Sequence, residues 1–233
     1  MNPYFATLLT FAIAIAFLRL MDFFAHAGLI DSKLSRKFIH IGTGPIFVLR
    51  WLFFPDVRIA RYLAALIPLL ITIQFILVGI GVIKDEAAVQ AMTRTGNPKE
   101  ILRGPLFYGI VFVVLTIVYW KDSPIGITAL MMMCGGDGTA DIVGRRVKSP
   151  KLVWSPEKSV AGSLGVFAGG ALLTALILFI YVNTGIFPAP FGRYILPIIW
   201  IALGAMLVES LPFRDIDNIT LTVVSALLGH LVF

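Results

Sequence analysis

The stretch IARYLAALIPLLITIQFILVGIGVI, residues 59–83, decides the fold, because Arg61 is its one charged residue. A helix crosses the hydrocarbon core of a bilayer with about 20 mostly apolar residues. The same criterion, applied outward from this stretch, finds candidate spans at residues 4–20, 38–54, 59–83, 105–120, 123–136, 160–182, 193–211 and 217–233. We therefore predict an all-α fold, a polytopic transmembrane bundle of about eight spans, with seven as the alternative. The short fifth span can gain length by continuing as one helix through residues 135–146.

Composition supports an integral membrane protein. Of the 233 residues, 58% are hydrophobic and 14% are charged, and the mean hydropathy is +0.93. Because soluble domains are typically about 45–50% apolar and about 25% charged, an ordinary water-soluble enzyme is excluded. The single cysteine, Cys134, excludes an internal disulfide and a multi-cysteine zinc site. The chain shows no internal repeat and no linker, so we expect one integral-membrane domain over residues 1–233.

The basic residues favour one face of the predicted bundle. With eight spans, one set of connections holds most of the 19 lysines and arginines, including Arg94, Arg145, Arg146, Lys158 and Arg214. Short loops rich in lysine and arginine stay in the cytoplasm. We therefore expect this face to be cytoplasmic and both termini to lie outside. The net charge of +6 does not indicate a nucleic-acid partner, because the basic residues lie between apolar segments and no base-reading module is apparent.

A glycine- and aspartate-rich segment, GDGTAD at residues 136–141, directly follows the fifth span. On a helix Asp137 and Asp141 share one face, and two carboxylates beside lipid are costly unless a cation neutralises them. Mg²⁺ typically takes one or two carboxylates plus substrate phosphates, so both acids are candidate metal ligands. The segment also supplies candidate phosphate-binding residues: Gly136, Gly138, Thr139, Arg145 and Arg146. The alternative is a structural network in which the acids pair with the arginines.

A second candidate phosphate site opens the sixth span, within WSPEKSVAGS at residues 154–163. Lys158 supplies an ammonium, Ser159 and Ser163 supply hydroxyls, and the helix start near Gly162 supplies backbone N–H groups. Together these groups bind anions well. The alternative is a loop with a serine cap and an interfacial lysine.

A third segment, at the inner end of the second span, contains Arg36, Lys37 and His40. Arg36 and His40 are four residues apart and share a helical face. His40 is a candidate base for a hydroxyl nucleophile, because histidine ordinarily titrates near neutral pH. The alternative is that the two basic residues anchor the span at lipid headgroups while His40 donates to a neighbouring helix.

Four further polar residues lie at the inner ends of predicted spans: Arg103, Glu209, Asp217 and Asn218. Arg103 either binds phosphate or follows the positive-inside bias. An acid inside a membrane span is usually functional, which makes Glu209 a candidate ligand-binding residue, with a salt bridge as the alternative. Asp217 and Asn218 open the eighth span, where a helix cap alone would explain one of them.

Taken in order, residues 36–40, 103–109, 136–145, 157–163 and 209–218 resemble the phytol kinase and dolichol kinase family of CTP-dependent polyprenol kinases. More distantly they resemble the CDP-diacylglycerol synthases, although the signature of that family near the C-terminus is absent. The small size and the eight spans are more similar to phytol kinases than to dolichol kinases.

The resemblance implies transfer of the γ-phosphoryl group of CTP to the hydroxyl of a membrane isoprenoid alcohol such as phytol, geranylgeraniol or farnesol. Asp137 and Asp141 would hold Mg²⁺, and Lys158 with the arginines would neutralise the phosphates. A cytidylyltransferase that makes a CDP-lipid is the alternative enzyme, and a small anion transporter is the alternative of another class. The polar residues cluster on one face, which disfavours the transporter. The chain length of the alcohol and the oligomeric state stay open.

Overall fold

The computed structural model describes residues 1–93, 95–213 and 216–233. Arg94 and Arg214, which the charge distribution assigned to the inner face, lie outside these residues. The chain divides into two compact units, Met1–Ile117 (unit 1) and Val118–Phe233 (unit 2), and each is described by itself. The expectation of one domain over residues 1–233 stays a prediction.

Unit 1 is built from helices. Its elements are α1 (Pro3–His26), α2 (Ser32–Trp51), α3 (Arg58–Gly79), α4 (Glu86–Met92), a 3₁₀ helix (Pro98–Leu102) and α5 (Gly104–Val118). Helix α1 packs on α2 and α3, and the 3₁₀ helix packs on α3. The short α4 begins at Asp85, whose side chain accepts the N–H of Ala88 at 2.9 Å, as aspartate does at helix starts.

Unit 2 contains the aspartate-rich segment and a small hairpin. Its elements are α6 (Pro124–Met131), a π-helix (Met132–Asp137), α7 (Gly138–Arg146), β1 (Lys151–Leu152), β2 (Ser155–Ser159), α8 (Val160–Asn183), α9 (Gly192–Glu209) and α10 (Asp217–Val232). The first three elements follow one another without a break, which is the extension expected for the fifth span. The two strands pair antiparallel.

Helices cover all eight predicted segments, which confirms the all-α class. Five stretches of the described chain are long and apolar enough to cross a membrane: Pro3–Ala25, Arg58–Gly79, Pro98–Val118, Val160–Asn183 and Gly192–Glu209. Helix α10 is apolar but shorter, and α2 carries several charged residues. The number of eight spans therefore stays a prediction. The hairpin is a feature that the apolar pattern did not predict.

Glycines bring the aspartate-rich segment and α8 into close contact. Gly135 and Gly136 face Gly169 and Val166, and farther along Gly144 faces Gly162, so the two helical runs are antiparallel. A Cβ atom built on Gly169 would lie 2.5 Å from the carbonyl oxygen of Gly135. This backbone contact places the segment that carries Asp137 and Asp141 directly against α8.

We expect Gly169→Ala to destabilise the protein by about 1–3 kcal/mol, because the added methyl group overlaps backbone that cannot move aside easily. The melting temperature Tm would fall by about 2–4 °C per kcal/mol, measured by thermal unfolding of the purified protein. Gly192→Ala is the matched control, since its Cβ would meet nothing within 4 Å. An unchanged Tm in Gly169→Ala would show that the two helices tolerate separation.

Candidate active site

A partly buried cluster of charges lies where β2, the end of α9 and the start of α10 meet in unit 2. The ammonium of Lys158 donates to the backbone carbonyl of Glu209. It also lies 3.3 Å from Glu209 Oε1 and 3.3 Å from Asp217 Oδ1. The side chains of Lys158 and Glu209 are only 16% and 12% exposed. An ammonium has three donors, and three acceptors surround this one.

The chain brings these groups together because each lies at the end of an element. Helix α9 ends at Glu209, and the last carbonyls of a helix have no partner within that helix. Lys158 from the neighbouring hairpin donates to one of these carbonyls. Asp217 is the first residue of α10, so its carboxylate reaches the same point after a short connection.

Asp137 extends the cluster. This half-buried residue ends the π-helix, and its charge, like that of Asp217, interacts with the Glu209 carboxylate. Asp137 and Asp217 therefore both lie within electrostatic range of Glu209, which contacts Lys158. Carboxylates that lie close together repel each other, and a bound cation would relieve that repulsion.

Asp141 occupies a more exposed position one helical turn beyond Asp137. Its Oδ1 accepts from Arg145 Nε at 2.8 Å, and the two side chains are 25% and 58% exposed. This is the ion pair that the alternative interpretation predicted. Arg146, next to Arg145, is exposed.

The aspartates offer a limited set of ligands for a metal ion. Among the described residues, no group of three or more His, Cys, Asp or Glu side chains is arranged to hold one. Mg²⁺ does not need such a group when it arrives with phosphates, because one or two carboxylates then suffice. Asp137 and Asp141 are of the right chemical type for that role, because both are carboxylates one helical turn apart.

The predicted anion site at the start of α8 depends on whether its backbone N–H groups already have partners in the chain. The N–H of Val160 donates to Pro150 O at 3.0 Å, that of Ala161 to Ser149 Oγ at 3.0 Å and that of Gly162 to Ser159 Oγ at 3.2 Å. These N–H groups are therefore engaged within the chain, and Ser159 serves as the helix cap. In contrast, Ser163 is 8% exposed, and its hydroxyl has no hydrogen-bond partner among the described residues.

The predicted residues of unit 1 lie on α2 and beside α5. Arg36 and Lys37 are half-buried on α2. The ring of His40 lies 4.5 Å from that of Tyr108, centroid to centroid, and the Tyr108 hydroxyl donates to the His40 carbonyl at 2.8 Å. Arg103 is exposed and ends the 3₁₀ helix. The chemical roles of these four predicted residues stay predictions.

Sequence reasoning missed three contacts at these sites. Tyr108 packs on His40, Ser149 caps an N–H of α8, and Trp154 donates its indole N–H to Ser210 O at 3.0 Å. Each of these contacts joins residues that are distant in the chain. For the Trp154 contact, the only signal in the sequence was a tryptophan directly before the polar segment at residues 155–159.

Comparison with known proteins identifies relatives along nearly the whole chain. The chain is 42% identical over 230 residues to "Probable phytol kinase 1, chloroplastic" of Oryza sativa, covering 98% of this chain and 73% of the relative. It is 40% identical over 208 residues to "Farnesol kinase, chloroplastic" of Arabidopsis thaliana, covering 88% and 67%. It is 36% identical over 206 residues to "Phytol kinase 1, chloroplastic" of the same plant, covering 88% and 68%.

No family model matches the chain, and no solved structure matches it. The matches to the rice protein and to the wheat protein "Probable phytol kinase, chloroplastic" extend over 98% of this chain and therefore include the aspartate-rich segment, the hairpin, the end of α9 and the start of α10. At 42% identity over 98% of its length, this chain belongs to the phytol kinase family.

Proposed function

We propose that this protein is a CTP-dependent kinase that phosphorylates the hydroxyl of an isoprenoid alcohol in the membrane. The names of its relatives, phytol kinase and farnesol kinase, support a prenol as the acceptor. Within this chain, the observation that best supports the proposal is the partly buried cluster of Lys158, Glu209 and Asp217. Asp137 interacts electrostatically with Glu209. CTP as the donor follows from the resemblance of the motifs to CTP-dependent polyprenol kinases.

The residues of unit 2 would bind the nucleotide phosphates. Phosphoryl transfer depends mainly on positioning and on neutralising charge at the phosphate oxygens. Lys158 would exchange one of its two 3.3 Å carboxylate contacts for a phosphate oxygen. The exposed Arg145 and Arg146 would bind the same phosphates, and the buried hydroxyl of Ser163 would donate to one of them.

Asp137 and Asp141 would hold Mg²⁺, which neutralises charge on the triphosphate when bound. Glu209, Asp217 and Asn218 would keep Lys158 and the acids in place around the phosphates. Asn218 is suited to this because it is 9% exposed and adjoins Asp217 at the start of α10. The glycines and Thr139 would let the phosphates approach the backbone of the aspartate-rich segment.

Residues of unit 1 have proposed roles of their own. His40 would act as the base for an alcohol hydroxyl, and Arg36 and Lys37 would bind anionic groups. Arg103 would add a further positive charge. The apolar tail of the alcohol would stay at lipid depth. We further propose that the active face is cytoplasmic and that both termini lie on the opposite side.

A product assay with the purified protein tests this function. The protein is supplied with Mg²⁺, one of the four nucleoside triphosphates and one alcohol from a panel of phytol, geranylgeraniol and farnesol. We expect label from γ-labelled CTP to enter the lipid fraction and CDP to be released. Label from α-labelled CTP in the lipid, with pyrophosphate release, would identify a cytidylyltransferase instead. Uptake of an anion into sealed vesicles without chemical conversion would identify a transporter.

A further inference from the structure

We infer that Trp154 is a positioning residue that holds the hairpin against the end of α9 and thereby places Lys158. The inference rests on the proposed function of Lys158 in binding nucleotide phosphates. Trp154 lies between β1 and β2, at the turn of the hairpin, and Lys158 lies near the end of β2. Trp154 and Lys158 therefore lie at opposite ends of the same short hairpin segment, so a contact at the turn helps to set the position of Lys158.

Trp154 and Lys158 bind neighbouring backbone carbonyls at the end of α9. The indole Nε1 of Trp154 donates to Ser210 O at 3.0 Å and lies 3.4 Å from Ser210 Oγ. Lys158 donates to the carbonyl of Glu209, the residue before Ser210. Two consecutive carbonyls at the C-terminus of α9 are thus satisfied by two side chains of the hairpin, in place of the helical partners that a helix end lacks.

The hairpin depends on these contacts because it is too short to be stable alone. Strand β1 has two residues, and its pairing with β2 is irregular between Lys151 and Leu152. Isolated two-stranded hairpins are at best marginally stable. Trp154 is 58% exposed, so burial of its ring contributes little, and the N–H bond to Ser210 is the specific link. Without this bond the hairpin would detach more often and would carry Lys158 away from the cluster.

The test compares Trp154→Phe with Trp200→Phe in the full-length protein. Trp154→Phe removes the N–H donor and keeps an aromatic ring. Trp200 is the matched control, because it is similarly exposed at 56% and lies on α9 outside the cluster. Ser210→Ala is a second control, since it keeps the carbonyl that accepts the bond. Two quantities are measured: amide hydrogen exchange of residues 151–159, and KM and kcat for CTP.

We expect Trp154→Phe to speed amide exchange in residues 151–159 and to raise KM for CTP by about three- to tenfold, with kcat within about twofold. Both controls should match the original protein in both measurements. Unchanged exchange in the hairpin would overturn the inference, and so would faster exchange with unchanged KM. A lower kcat and faster exchange throughout unit 2 would also overturn it, because they would indicate a merely structural role.

If Lys158→Met kept full activity, the proposed role of Lys158 would fail separately, whereas hairpin exchange would still report on Trp154.

Discussion

Replacing Asp137 by asparagine is expected to lower the rate of prenol phosphorylation by about 10²- to 10³-fold while the protein remains folded. The substitution preserves the shape of the side chain and removes one negative charge from the cluster around Glu209. Loss of a single group that stabilises developing charge typically costs that much in rate. The measurement is initial rate with γ-labelled nucleotide and a prenol, with Tm recorded for the same sample.

Two carboxylate-to-amide variants complete this experiment. Asp56→Asn is the matched control, because Asp56 is exposed and lies after the end of α2, outside every segment that is given a role; its activity should stay within about twofold. Asp141→Asn should cost about tenfold, since the amide is a weaker metal ligand than the carboxylate, while Asp141 already shares its charge with Arg145. Full activity in both Asp137→Asn and Asp141→Asn would refute the assignment of Mg²⁺ to these acids.

Lys158→Met is expected to reduce activity by about 100-fold and also to lower stability. Methionine keeps the length of the side chain but removes the positive charge between Glu209 and Asp217. Breaking a fully buried ion pair costs roughly 3–5 kcal/mol, and the partial exposure of this cluster reduces the expected loss to about 2 kcal/mol. Activity and Tm are measured together on the same preparation.

The double variant Lys158→Met with Glu209→Gln separates the two effects. Removing the Glu209 charge leaves less uncompensated negative charge in the site, so Tm should recover most of its loss. Activity should stay about 100-fold low, because the phosphates still lack the ammonium. If activity returned together with Tm, Lys158 would be a structural residue and the nucleotide site would lie elsewhere.

The helices could be predicted from the order of apolar residues. Each predicted span is a local property of about 20 consecutive residues, and lipid imposes a helix on any such run because no water satisfies its backbone groups. The continuation of the fifth span into α7 was expected because that span is short by itself. The hairpin at Lys151–Leu152 and Ser155–Ser159 was not predicted, since it is short and polar and is held by contacts with α9.

The sequence indicated which charged residues belong to the candidate site, but it predicted only some of the contacts between them. Asp141 pairs with Arg145 at helical spacing, and this local contact was foreseen as an alternative. Lys158 was expected beside phosphate, yet in this structure it binds Glu209 and Asp217, 51 and 59 residues away in the chain. Ser159 caps α8, and its contact with phosphate stays a prediction.

The order of residues along the chain was enough to predict a helical membrane protein, because each span depends on neighbouring residues and on the bilayer. The partners of Lys158, the anchoring of Trp154 and the glycine contact between α7 and α8 came from the folded arrangement alone. They join segments far apart in the chain, and a distant pair forms only when the packing of whole helices brings both partners to the same point.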